Sequence, residues 1–195
     1  MKKIGLFFGS FNPVHIGHLI LAESMFKHTE LDEIWMVISP QNPFKAKKGL
    51  LDHHLRLKMV KLATKGNKRI KASDVEFNLP KPSYTIDTLR YLKKTQPDKE
   101  FVIIIGEDNL KNLPNWKDSE ELLRDYDFYV YPRLGAEQID WSLPNVNRVE
   151  APIIGVSSTQ IRNRIENGDS IRYFVVNKVR KAIEEGGFYK KNPQH

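Results

Sequence analysis

A chain of 195 residues, 40% hydrophobic and 28% charged, is expected to fold as a single domain over residues 1–189, with a mobile tail over 190–195. It has no cysteine, which excludes disulfides, thiolate metal sites and cysteine nucleophiles. Its net charge of +7 suits either nucleic acid or small phosphorylated anions.

Met1-Lys2-Lys3 followed by Ile4 to Phe8 has the outline of a signal peptide, but the apolar run is too short and no small-residue cleavage site follows. It reads instead as a first strand, Lys3 to Gly9. No stretch approaches the length of a membrane span, so a cytoplasmic protein with no membrane partner is expected. Gly9-Ser10-Phe11-Asn12-Pro13 is a tight turn. A helix follows from His15 to Lys27, with Leu19, Ala22, Met25 and Phe26 apolar at helical spacing. Glu33 to Ser39 is a second strand, and Pro40 to Lys45 is a loop cut by two prolines.

Asp52 to Thr64 is helical, and Arg69 to Phe77 contains a short strand. Pro80 to Tyr84 leads into a helix from about Thr85 to Lys94. Phe101 to Ile105 is the most apolar run, closed by Gly106, and reads as a central strand buried on both faces. Ser119 to Arg124 is helical and Phe128 to Tyr131 is a strand. Ser158 to Glu166 and Val175 to Glu185 are helices, stopped by Asn167-Gly168 and Gly186-Gly187.

Strands alternating with helices predict an α/β fold, a Rossmann-like doubly wound parallel sheet of order 3-2-1-4-5 with a small C-terminal helical part. In such a sheet ligands bind where the strand order reverses. Strands one and four are neighbours there, so the turns at Gly9 and Gly106 are expected to line one crevice.

His15-Ile16-Gly17-His18 opens the first helix. A helix start offers free N–H groups and a positive dipole end. Two imidazoles three residues apart at that end make a phosphate site, and phosphate at a strand–turn–helix junction points to nucleotide chemistry. A metal site needs further ligands, and His28, His53, His54 and His195 show no ligand spacing with the pair. Ser157-Ser158-Thr159-Gln160-Ile161-Arg162 precedes a second helix. Its hydroxyls suit a cap, and with Arg162 one turn in they also describe a polyphosphate cradle. The densest basic groups, Lys45-Ala46-Lys47-Lys48 and Lys68-Arg69-Ile70-Lys71, have no aromatic stacking array beside them. Small anions are therefore favoured and no nucleic-acid partner is expected. G-x-G-x-x-G, G-x-x-x-x-G-K-[ST] and G-x-S-x-G are absent.

The first turn, His15 to His18 and Ser157 to Arg162 resemble the signatures of the H-x-G-H nucleotidyltransferase superfamily. Ser83-Tyr84-Thr85-Ile86-Asp87-Thr88-Leu89, Gly106-Glu107-Asp108 and Trp116 make the chain most similar to the bacterial nicotinate-nucleotide adenylyltransferase family. The resemblance covers nearly the whole chain and keeps motif order. One departure is the turn Gly9-Ser10-Phe11, where that family commonly has two glycines and a threonine. This turn is more like that of pantetheine-phosphate adenylyltransferases, which are usually shorter and lack the Ser83 to Leu89 segment. A pantetheine-phosphate or a nicotinamide-mononucleotide acceptor is the alternative. His15 to His18 also spells a motif of class I aminoacyl-tRNA synthetases, but a K-M-S-K-S-like loop is missing and the chain is too short for an anticodon-binding region. A nucleotide-binding module without turnover is the reading from a different class, and the intact histidines and Arg162 argue against it.

The resemblance implies that ATP and nicotinate mononucleotide give nicotinate adenine dinucleotide and pyrophosphate, in NAD biosynthesis. It implies ATP-phosphate roles for His15, His18 and Arg162, donors from Ser157 and Ser158, and close backbone approach at Gly9, Ser10 and Phe11. Gly106 and Asp108 would meet the adenosine. Asn42, Lys45, Tyr84, Thr85 and Trp116 would meet the acceptor. Mg²⁺ would arrive with ATP rather than in a protein cage. No residue pattern specifies an oligomer.

Overall fold

A computed structural model describes residues 1–41, 49–133, 135, 141–143 and 145–190. The described residues form one six-stranded sheet from β1 (Lys2–Gly9), β2 (Glu33–Ile38), β3 (Ile70–Ser73), β4 (Lys99–Gly106), β5 (Phe128–Tyr131) and β6 (Val146–Arg148). The order is β3-β2-β1-β4-β5-β6, and every neighbouring pair is parallel. The helices are α1 (Ile16–Lys27), α2 (His53–Ala63), α3 (Thr85–Thr95), α4 (Glu107–Asn112), α5 (Ser119–Asp125), α6 (Ser158–Glu166) and α7 (Asn177–Gly186). None of them is long and apolar enough to cross a membrane.

The apolar run of β4 divides by the period of two that a strand imposes. Val102 and Ile104 join the core on one face, with Leu21, Ala22 and Met25 of α1, Met59 and Val60 of α2, and Val179 and Ile183 of α7. Phe101, Ile103 and Ile105 join the other core, with Ile86, Leu89 and Leu92 of α3 and Leu122 of α5. Apart from Ala22, each of these side chains contributes roughly 1.5–3 kcal/mol on burial, so both faces of β4 are committed to packing. What remains for chemistry is the rim at its C-terminal end.

Three features depart from the sequence expectation. The edge strand β6 extends the order beyond β5, pairing Val146 with Phe128 and Arg148 with Val130. A short helix, α4, begins directly after Gly106. The first helix begins at Ile16, with His15 as its extended N-cap residue at φ −140° and ψ 170°. Of the expected mobile tail, residues 191–195 lie outside the described residues.

β1 and β4 pair from Lys2↔Lys99 to Phe7↔Ile104. From β1 the chain crosses to β2 on one side, and from β4 to β5 on the other. That divergence opens a crevice beyond the two strand ends.

Candidate active site

The crevice has two lobes that share Phe7, Phe8, Asn109 and Tyr131 in their walls. The first has a volume of about 460 Å³ and is lined by the Gly9–Asn12 turn, both histidines, Asp108, Arg133 and the start of α6. The second, of about 470 Å³, is lined by Ser39, Glu76, Ser83 to Thr85, Asn112, Trp116 and Lys117. Cationic and amide groups dominate one, and aromatic rings with a helix start dominate the other.

The turn after β1 is shaped by Phe11, which is buried and adopts φ +46°, a region that bulky residues rarely enter. Its ring folds back over Gly9, where a Cβ would lie 2.7 Å from the ring edge. The glycine is thus required by Phe11 packing. Asn12 fastens the turn, since its Nδ2 donates to the Gly49 carbonyl at 2.9 Å. Its Oδ1 accepts from Leu51 N–H at 3.2 Å and from the Tyr189 hydroxyl at 2.9 Å.

His15 and His18 stack with ring centroids 3.6 Å apart. The His15 N–H donates to His18 Nδ1 at 3.2 Å. A ring nitrogen that accepts an amide hydrogen carries no proton, so His18 holds its proton on Nε2 as a donor. His15 is buried, and its Nδ1 meets no hydrogen-bond partner among the described residues. Burial, and secondarily the Arg133 charge, lower its pKa to about 4, so it is neutral near pH 7. Gly17 is what admits this stack: a Cβ there would lie 2.7 Å from Ile154 and 3.0 Å from His15 Nδ1.

α6 is held against the same turn. Ser157 Oγ caps it by accepting from Gln160 N–H at 3.2 Å. Ser158 Oγ donates to the Pro13 carbonyl at 2.9 Å. Arg162 donates through Nη1 to the Asn12 carbonyl at 2.8 Å and through Nη2 to Thr159 Oγ1 at 3.1 Å. The proton of Ser158 is therefore committed within the protein, whereas Arg162 keeps three of its five N–H groups.

On the β4 side, Gly106 leaves room for Asp108, whose Oδ1 would be 2.5 Å from a Cβ. Asp108 pairs with Arg133 Nε at 3.5 Å. Buried Glu107 accepts from the Arg133 N–H at 2.9 Å and faces Arg148 of β6 at 3.7 Å. The edge strand thereby braces the loop that carries Arg133.

In the second lobe Tyr84 is the N-cap residue of α3, and its side chain does not cap that helix. Asp87 in its first turn is paired with Lys117 at 2.9 Å, which offsets its charge and leaves the helix start open to another anion. Thr85 and Trp116 line the same lobe. Asn42 and Lys45 lie outside the described residues.

Two groups had no signal in the sequence. Arg56, in the first turn of α2, is wholly buried with no carboxylate beside its guanidinium among the described residues. It donates to four backbone carbonyls: Leu51 at 2.7 Å, Ser10 at 2.5 Å, Ser39 at 3.0 Å and Pro40 at 3.1 Å. It thus joins the ends of β1 and β2. Glu76, in the 3-10 turn Val75–Asn78, is buried in the wall of the second lobe. A solvated helix face and a solvated turn are the ordinary settings for such residues, so only tertiary structure reveals them.

A parallel sheet that reverses at a strand–turn–helix junction carrying two histidines, with the start of α6 and Arg162 facing it, has the geometry expected of a nucleotidyltransferase. The family model described as cytidylyltransferase-like matches residues 6–164. A protein of Flavobacterium johnsoniae that bears the name "Probable nicotinate-nucleotide adenylyltransferase" is 49% identical, covering 97% of this chain and 100% of its own length. Its counterpart in Cytophaga hutchinsonii is also 49% identical, covering 96% and 98%. The fold matches a Plasmodium falciparum nicotinic acid mononucleotide adenylyltransferase complexed with NaAD, with a TM-score of 0.82 at 21% identity, covering 97% of this chain and 98% of that one. The chain belongs to the nicotinate-nucleotide adenylyltransferase family.

Proposed function

We propose that this chain transfers the adenylyl group of ATP to nicotinate mononucleotide, giving nicotinate adenine dinucleotide and pyrophosphate. The observation that carries the reading is the pair of joined lobes, one suited to phosphates and the other to an aromatic anion. ATP lies in the first, with its phosphates toward His15, His18, Arg162 and the start of α6. The adenosine lies toward Gly106, Asp108 and Arg133. The pyridine ring lies in the second lobe, with its carboxylate at the Tyr84–Thr85 helix start and Trp116 against the ring.

An oxygen of the mononucleotide phosphate attacks the α-phosphorus, a new P–O bond forms, and the bond to the β-phosphate oxygen breaks. The attacking group is already an anion, so no general base is needed and no covalent enzyme intermediate forms. Catalysis is in-line positioning together with stabilisation of charge on the α-phosphoryl and the leaving pyrophosphate. His18 offers its Nε2–H to that charge. The lobe's imidazole, guanidinium and amide groups suit phosphate oxygens, so Mg²⁺ enters as part of MgATP with waters retained. A cytoplasmic location is part of this proposal.

Two measurements test the reading. In the first, pyrophosphate release requires ATP and a mononucleotide together, and nicotinate mononucleotide is preferred over its nicotinamide counterpart. A helix start favours an anion by ~0.3–2 kcal/mol, and hydrogen bonds to a charged group add roughly 1.5–3 kcal/mol. At ~1.4 kcal/mol per decade the preference in kcat/KM is on the order of 10²-fold. Equal values, or better use of 4′-phosphopantetheine, would overturn the acceptor assignment. In the second, Arg162→Lys keeps the charge but loses the planar fork. Its KM for ATP is expected to rise about tenfold, as for one lost hydrogen bond to a charged group, and an unchanged ATP dependence would remove Arg162 from the phosphate site.

A further inference from the structure

Glu76 is 1% exposed and lines the acceptor lobe. Its Oε1 accepts from the Thr88 hydroxyl at 3.0 Å, and Thr88 Oγ1 also lies 3.3 Å from the Tyr84 carbonyl, at the start of α3. The Ser39 and Ser83 hydroxyls lie beside the carboxyl. Glu76 Oε2 and Ser83 Oγ are both buried in this wall, and among the described residues neither makes a hydrogen bond of regular geometry. Among the described residues, the other charged and titratable groups of the lobe are Lys117, paired across its mouth with Asp87, and the Tyr84 and Tyr131 hydroxyls. None of them bonds Glu76.

An ionised carboxylate in such a place wants donors on both oxygens and a counter-charge. Here the neighbours of the carboxyl among the described residues are three neutral hydroxyls, of Thr88, Ser39 and Ser83, and no cation pairs with it. A neutral carboxylic acid fits better, because it needs no counter-charge and its own O–H can donate to one of the hydroxyl oxygens around it. Burial pushes the Glu76 pKa up, in the same direction.

We propose that Glu76 is a positioning residue for acceptor choice: a neutral carboxylic acid that ties the Thr88–Tyr84 turn of α3 to the end of β2 and keeps the wall beside the acceptor carboxylate free of charge. This rests on the acceptor assignment above. The opened N–H groups at Tyr84–Thr85 then serve the substrate anion. An ionised Glu76 in the same wall would compete for those donors and repel the acceptor, with least effect on an acceptor carrying an amide.

The test combines spectroscopy and kinetics. In ¹³C-labelled protein, the Glu76 carboxyl resonance, identified by its loss in Glu76→Gln, is expected to be that of the acid at pH 7. An ionised Glu76 at pH 7 would overturn the proposal even if nicotinate mononucleotide proves to be the acceptor. Glu76→Gln, a neutral isostere, is expected to keep the nicotinate preference of the unmodified protein. Glu76→Ala is expected to raise KM for the acceptor by about tenfold or more, on the scale of one lost buried hydrogen bond, with KM for ATP unchanged. Equal increases in both KM values would reduce Glu76 to a structural role. Across pH, the preference is expected to fall only where the Glu76 resonance titrates, and the fall is absent in Glu76→Gln. A fall without titration, or titration without a fall, also defeats the proposal.

Discussion

Replacing His18 with alanine is expected to lower kcat about a hundredfold or more, the scale for losing one donor aimed at developing transition-state charge. The ring is oriented before substrate arrives. His15 N–H holds Nδ1 at 3.2 Å, the His15 ring covers one face at 3.6 Å, and Phe11 meets it edge-on at 5.0 Å. Such a donor needs no reorganisation as the charge forms, which is why the loss falls on kcat more than on KM. His18 is half-buried, so the variant is expected to fold, with its circular dichroism spectrum unchanged. Steady-state pyrophosphate release decides the matter, and a folded variant with near-normal kcat would remove His18 from the reaction.

Arg56→Met is expected to destabilise the protein by about 3 kcal/mol or more. The variant strands four carbonyls at roughly 1–3 kcal/mol each. Against this, it removes a cation whose burial is unfavourable, as the lowered pKa of Arg56 indicates. The carbonyls outweigh that relief because Ser10, Ser39 and Pro40 end two core strands and cannot all turn to water. A loss of this size is a large part of the 5–15 kcal/mol available to a typical domain. Arg56→Lys recovers only part of it, since an ammonium lacks the fork that reaches four acceptors. Urea unfolding measures both variants, and an unchanged midpoint in Arg56→Met would show that the carbonyls find other partners.

The sheet was legible in the sequence because its strands are apolar runs bounded by glycine, proline or charge, as in Phe101 to Gly106. The histidine pair and the α6 start were legible because a helix start is a local pattern. β6 was not, since Val146-Asn147-Arg148 is only three residues, two of them exposed, and its pairing with β5 is a tertiary event. α4 was hidden for a similar reason: at six residues it shows too little periodicity, and Gly106 reads equally well as the end of a strand. His15 was placed one position too deep, because a histidine is not an obvious cap. Arg56 and Glu76 carry the same letters as solvated residues, and their roles appear only when distant carbonyls and hydroxyls converge on them.

The Gly9–Pro13 turn is closed by partners far along the chain. Pro13 waits for Ser158, Asn12 for Arg162 and Tyr189, and Ile16 N–H for the Phe174 carbonyl. A chain emerging from the ribosome can lay β1, β2 and β4 side by side well before those partners exist. The lobe assigned above to ATP is therefore among the last parts to mature, and on that assignment ATP, which stabilises only what it binds, gives no help to the nascent chain. On the same assignment, a truncated product would keep much of the sheet yet gain nothing from a cell full of ATP, whereas the finished protein would be protected by its own substrate.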